Sequence, residues 1–162
     1  MDRSKNVAVI KYYLQHYQEK MTYIENVKAD IADYEAMLSL NAAPKIPSLS
    51  FAPGGNGSDL SQQEQEYFKK EKIPNKIAAL RTELAEKEPI MNRLNRSLEA
   101  LTESDRMIIC NKYIKEMSWK MTAACVNCSE GYCRKRSEKV LEILAEMVFG
   151  TEDIPVQTDF LF

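Results

Sequence analysis

An all-α fold is the expectation for this 162-residue chain, and three observations carry it. Glycine and proline number only five and six, and three of each fall within residues 41–59, leaving long segments of helical composition on either side of one loop. Each of those segments spaces its apolar residues by threes and fours, which lines one face of an α-helix. Beyond residue 101, short apolar-periodic stretches alternate with Ser, Thr and Asn at positions where helices start and stop.

The first segment carries Ile10, Leu14, Tyr17, Met21, Ile24, Val27, Ile31, Tyr34 and Leu38, in steps of four and three with one doubled three at Val27. This spacing predicts a helix from about Arg3 to Leu40. The loop reads NAAPKIPSLSFAPGGNGSD. Its Gly54-Gly55-Asn56-Gly57 has neither the preceding strand nor the following Gly-Lys-Ser/Thr of a phosphate cradle, so it is a turn. Next, Ser61-x-x-Glu64 is a capping box in which two side chains satisfy free N–H groups. Ile73, Ile77, Leu80, Leu84, Lys87, Met91, Leu94, Leu98 and Leu101 follow in strict four–three steps, broken only by Lys87. Pro74 suits a helix start and Pro89 predicts a kink. Two such helices joined by one loop predict an antiparallel coiled-coil hairpin over residues 1–101. A seam does not say which chain supplies the partner helix, so pairing with a second copy is the rival.

Residues 102–149 predict a separate module. Thr102-x-x-Asp105 caps a helix of about Glu103 to Lys115, and Ser118 caps Trp119 to Val126. Asn127 stands where a left-handed backbone is needed. Ser129 caps a third helix to about Val148, with Val140, Leu141, Leu144 and Val148 on its core side, and Gly150 ends it. Residues 150–162 are a tail, TEDIPVQTDFLF after the glycine.

Composition excludes several functions. The 24 acidic and 22 basic side chains leave a net charge of −2, which suits neither a basic nucleic-acid coat nor an acidic disordered tail. No apolar run reaches a membrane span and the N-terminus is unlike a signal peptide, so the expected location is the cytoplasm, with reduced thiols. Cys125-x2-Cys128-x4-Cys133, with Cys110 upstream, contains only one CxxC pair, and the single His16 lies in the coil. Cys110, Cys128 and Cys133 are therefore expected as small core residues and Cys125 as outward-facing, with no metal and no cofactor. Tyr12, Tyr13, Tyr17, Tyr23 and Tyr34 belong mostly to the seam rather than to a base-stacking surface. No nucleophile has a base and an orienting partner, so an enzyme is not expected.

Helix, turn of Asn127, Cys128 and Ser129, helix, preceded by a third helix, is the arrangement of a helix-turn-helix DNA reader. Ala123 and Ala124 are the small residues its crossing needs. Arg134, Lys135, Arg136 and Lys139 place four positive charges within six residues of the third helix. The bland alternative is a solvated basic face on an ordinary bundle.

The stretch LTESDRMIICNKYIKEMSWKMTAACVNCSEGYCRKRSEKVLEIL resembles the promoter-reading region 4 of bacterial sigma-70-type factors. Leu101, Glu103, Tyr113, Ile114, Ser118, Trp119, Ala123, Val126, Ser129, Arg134 and Leu141 carry the resemblance. The layout of coil, loop and module is similar to small regulators of phages and prophages of Gram-positive bacteria, the late-transcription activators and autolysin-regulator-like proteins. That resemblance implies base reading by Glu130, Gly131, Arg134 and Lys135 beside the cap Ser129. It implies phosphate contacts by Thr122, Arg136 and Lys139. Gly131 lacks the acid the family often carries, and Arg136 replaces a usual apolar residue, either shifting the buried face or adding a phosphate contact. Nothing resembles the helices that melt promoter DNA, so a complete sigma factor is not expected.

The function expected is sequence-specific double-stranded DNA binding by a phage-type transcriptional regulator. Its partners would be DNA, RNA polymerase and a second copy through the coil, with no membrane. The alternatives are a phage packaging or structural protein that binds DNA loosely, and a coil-based inhibitor of a host protein.

Overall fold

The computed structural model of the protein describes residues 3–42 and 62–150, which form helices and short connections with no strand among them. Helices α1 (Arg3–Gln15) and α2 (Tyr17–Ala42) are separated only at His16. The i to i−4 pattern crosses that point, with His16 N donating to Tyr12 O at 3.1 Å and Lys20 N to His16 O at 3.0 Å. The predicted first helix is thus nearly continuous and slightly longer than expected, since Asn41 and Ala42 are helical rather than loop. Residues 43–61, with the rest of the Pro/Gly segment and Ser61 of the expected capping box, lie outside the described residues, as do 151–162.

Helix α3 (Gln62–Tyr67) passes through a wider π turn at Phe68–Lys72 into α4 (Ile73–Ala100), which starts one residue before Pro74 and continues through Pro89. Pro89 is exposed. Three shorter elements follow: α5 (Glu103–Ile109), continued by a π turn at Cys110–Ile114, then α6 (Trp119–Val126) and α7 (Glu130–Phe149). No helix of the described residues is long and apolar enough to cross a membrane.

The chain divides into two compact units, Glu25–Ala85 and Met1–Ile24 with Glu86–Phe162. This differs from the expected boundary between residues 101 and 102. In the Glu25–Ala85 unit, Val27 and Ile31 of α2 and Ile73, Ile77 and Leu80 of α4 are buried, while Tyr34, Leu38 and Leu84 are half-buried. Arg81 pairs with Glu35 on its exposed rim, a contact worth only some tenths of a kcal/mol.

In the other unit, Ile10, Leu14 and Ile24 are buried together with Met91, Leu94, Leu98 and Leu101. Tyr17 Oη donates to Asn95 Oδ1 at 2.6 Å, and Lys87 Nζ donates to Tyr23 Oη at 3.1 Å. The partner on α4 falls from 95 to 87 as α2 advances from 17 to 23, so these stretches run antiparallel. Lys87, the break in the seam, rests its ammonium over the Tyr23 ring, 4.5 Å from the centroid. A cation over an aromatic face keeps part of the attraction it loses on leaving water.

The grouping of α1 with the C-terminal helices has a local cause. Tyr13 lies beside the coil stripe, and it is as deeply buried as Ile10 and Leu14. A helix buried on more than one stripe needs more than one neighbour. α1 packs on α7 and on the π turn after α5, while α5, α6 and α7 pack on one another. The N-terminal helix therefore belongs to the core of the C-terminal module. Burial pushes the Tyr13 hydroxyl upward, and the neighbouring Tyr12 adds to the shift.

Candidate nucleic-acid interface

Each short helix starts where its cap predicts. Thr102 Oγ1 accepts from Asp105 N at 3.3 Å, Ser118 Oγ from Met121 N at 3.2 Å, and Ser129 Oγ from Tyr132 N at 3.2 Å. Each bond satisfies an N–H that the first helical turn leaves free, typically worth about 1 kcal/mol. Asn127 is left-handed, φ 52° and ψ 42°, and Cys128 N donates to Ala123 O at 3.1 Å across the bend. That places α6 and α7 on either side of a three-residue turn. Gly150, at φ 83°, stops α7.

The helices meet over Ile108, Ala123 and Cys133, with Trp119, Val126 and Cys128 packed around them. Ala123 is the small residue at the crossing, whereas Ala124 is exposed. Cys133 is fully buried and Cys125 exposed, as expected; Cys110 and Cys128 are half-buried rather than core. Burial pushes the Cys133 thiol up, and Cys128 adds to the shift, so the thiolate a metal would need is disfavoured there. Among the described residues no group of three or more His, Cys, Asp or Glu side chains could hold a metal ion.

The outward side of α7 presents Glu130, Gly131, Tyr132, Arg134, Lys135, Glu138, Lys139 and Glu142. A Cβ built on Gly131 would meet nothing within 4 Å, so the backbone is open to an approaching surface. Arg134 is held on two sides. Its Nη2 lies 3.9 Å from Glu130 Oε2, and its Cζ lies 5.7 Å from the centroid of Trp119. Lys112 Nζ stands 5.0 Å from the same ring, so one indole carries two cations. Glu130 thus bears on Arg134 as well as facing outward. Ser129 uses its hydroxyl on the cap.

Two expected phosphate contacts need correction. Thr122 is fully buried, and its hydroxyl has no hydrogen-bond partner, so no phosphate reaches it. The position lies on the face of α6 turned to the core, next to the buried Ala123. Thr122→Val keeps the shape and removes the unpaired hydroxyl, so it is expected to raise stability by about 1 kcal/mol. Urea denaturation checks this, and a loss of stability would show that the hydroxyl has a partner in solution.

Arg136 is the second correction. Its Nε and Nη2 each donate to Asp105 at 2.7 Å, to Oδ1 and Oδ2. This fork matches the carboxylate and ties α7 to the first turn of α5. The usual apolar residue is replaced by an ion pair at the edge of the core, and the guanidinium is engaged within the protein. Of the expected basic cluster, Arg134, Lys135 and Lys139 remain exposed.

Sequence reading also missed a residue. Tyr132, half exposed in the first turn of α7, sits beside the expected base-reading positions. The signal was present, because Cys133, Ser137, Val140 and Leu144 define the buried side of α7 and Tyr132 does not share it. Comparison of the chain with protein-family models, with curated proteins and with solved structures returned no match.

Proposed function

We propose that this protein is a sequence-specific double-stranded DNA-binding regulator of phage type, in which α5, α6 and α7 act as a helix-turn-helix and α7 enters the major groove. The observation that carries the reading is the exposed N-terminal half of α7, which projects Arg134, Lys135 and Lys139 beyond a tight left-handed turn. Arg134 suits bidentate pairing to guanine, Lys135 a less specific contact, and Tyr132 an apolar contact to a thymine methyl. Lys139 suits phosphate. Gly131 allows close approach of the backbone.

The electrostatic footprint is small. Residues 102–149 hold eight bases and seven acids, and Arg136 is taken by Asp105. Single-module affinity should therefore be weak, which favours a second copy or a protein such as RNA polymerase as co-partner on DNA. The antiparallel run of α2 and α4 supports a coiled-coil hairpin as the element that recruits it.

The acids Glu130, Glu138 and Glu142 on the same exposed face favour a second reading, a phage packaging or structural protein with loose DNA binding. Binding to prophage promoter DNA and to random DNA at two salt concentrations separates the two. The wild type should prefer promoter DNA, and Arg134→Ala/Lys135→Ala should lose about 1–3 kcal/mol of that preference per lost base contact. Equal affinity of the wild type for both DNAs would falsify the regulator reading and favour the packaging one.

A further inference from the structure

Arg134 and Arg136 stand two residues apart on α7 and are held in different ways. Arg136 spends the edge of its guanidinium, with Nε and Nη2 both donating to Asp105 at 2.7 Å. The side chain of Arg134 is 60 % exposed, and among the described residues none hydrogen-bonds its guanidinium. Its Cζ lies 5.7 Å from the centroid of the Trp119 ring, and its Nη2 lies 3.9 Å from Glu130 Oε2. That ion pair is too long for a hydrogen bond, and an exposed attraction of this kind sets no orientation.

Trp119, in contrast, is fixed. It opens α6 directly after the cap Ser118 and packs on the buried cluster of Ile108, Ala123 and Cys133. Lys112 Nζ, 5.0 Å from the same ring, also donates to Met117 O at 3.1 Å, so the backbone before α6 holds that second cation.

We propose that Trp119 is a positioning residue for base reading: its indole holds the Arg134 guanidinium by the face and leaves the edge for the O6 and N7 acceptors of a guanine. This role rests on the DNA-binding reading above. A cation within about 6 Å of an aromatic centroid is attracted through the face of the ring. Guanine is paired through the N–H groups at the edge of the guanidinium. The two contacts use different parts of one planar group, so neither excludes the other. An exposed arginine loses rotamer freedom when it pairs a base, and one already resting on a ring loses less. The ring belongs to α6 and the arginine to α7, so the turn between the two helices aims the side chain.

The test has two arms, both on the full chain. Trp119 is the only tryptophan. Arg134→Ala should leave its fluorescence more readily quenched by acrylamide, and Lys135→Ala should leave it unchanged. Equal quenching in the two variants would overturn the contact, whatever happens on DNA. In the second arm the wild type selects a site from a pool of randomised duplexes, and each guanine in it is replaced in turn by 7-deazaguanine, which lacks N7. The readout is the ratio of affinities for the two duplexes, because a partly unfolded variant loses affinity for both alike. At the guanine that Arg134→Ala no longer distinguishes, Trp119→Met should cut the ratio about threefold, and Trp119→Phe, which keeps a ring, should cut it less. In an Arg134→Ala background Trp119→Met should have no further effect. An unchanged ratio in Trp119→Met, an equal fall in Trp119→Phe, or no guanine sensitive to Arg134→Ala would overturn the positioning role while DNA binding stands. A wild type that selects no site would overturn the DNA-binding reading and the guanine role with it.

Discussion

Arg136→Met should destabilise the protein by about 3 kcal/mol, and more than Asp105→Ala does. The asymmetry comes from where the two charges sit. The Asp105 side chain is 8 % exposed and that of Arg136 is 34 % exposed. Removing the arginine strands a buried carboxylate, whereas removing the aspartate leaves a guanidinium that can turn partly to water. Asp105→Ala is therefore expected to cost about 2 kcal/mol, some of it from the first turn of α5. Replacing both, as Asp105→Leu/Arg136→Met, should recover much of the loss, because well-packed apolar groups can replace a buried pair at little cost. Chemical denaturation of the wild type, Asp105→Leu, Arg136→Met and the double variant gives the cycle. Additive losses, with no recovery in the double variant, would refute the coupling.

The same pair sets an acid dependence. The Arg136 hydrogen bonds hold the Asp105 carboxyl below the usual carboxylate range, against an opposing effect of burial; the hydrogen bond from Thr102 and the Arg136 charge lower it further. A carboxyl whose value is depressed in the folded state adds stability above its unfolded value of about 3.9. That stability is lost as pH falls from there through the lower folded value. Stability measured from neutral pH down to about pH 3 should therefore fall more steeply in the wild type than in the double variant.

Leu14→Ala is expected to cost about 3 kcal/mol, as large as a core truncation within the C-terminal helices themselves. Leu14 is fully buried on α1, which packs against α7. Truncation there leaves a cavity that the surrounding helices can relax into only in part. The related expectation is that residues 102–150 alone unfold without a cooperative transition, because α1 supplies part of their core. Met37→Ala, at an exposed position of α2, is the control and should stay within about 0.5 kcal/mol. A fragment 102–150 as stable as the whole chain would support a division between residues 101 and 102.

The fold class and most helix boundaries were legible because they depend on neighbours in sequence. Thr102, Ser118 and Ser129 cap the helices that follow them through bonds that reach three residues along the chain. Asn127 adopts the left-handed backbone its short amide tolerates. The four–three stripes became buried or half-buried faces from Ile10 to Ile31 and from Ile73 to Leu101, because the helical period is a property of the backbone.

The candidate interface was legible only in part. Arg134, Lys135 and Lys139 are outside, and charge alone predicts that. Arg136 stands where the resemblance implies an apolar residue, but its partner Asp105, 31 residues away, could not be read from the sequence. Thr122 looked like a surface hydroxyl, yet it is enclosed without a partner. Lys20 reads as a polar residue beside the coil stripe, and three-dimensional packing buries it among tyrosines.

Spacing and capping chemistry thus settle that the described residues are helical, where α5, α6 and α7 begin, and which stripe of each long helix is apolar. They leave open what each stripe packs against, since a buried face has the same period whatever covers it. Packing assigns α1 to α7 and groups residues 3–24 with residues 86–150 in one compact unit. It also decides which charges are buried against a partner and which stay at the surface, because burial of a charge depends on groups that sequence order keeps far apart.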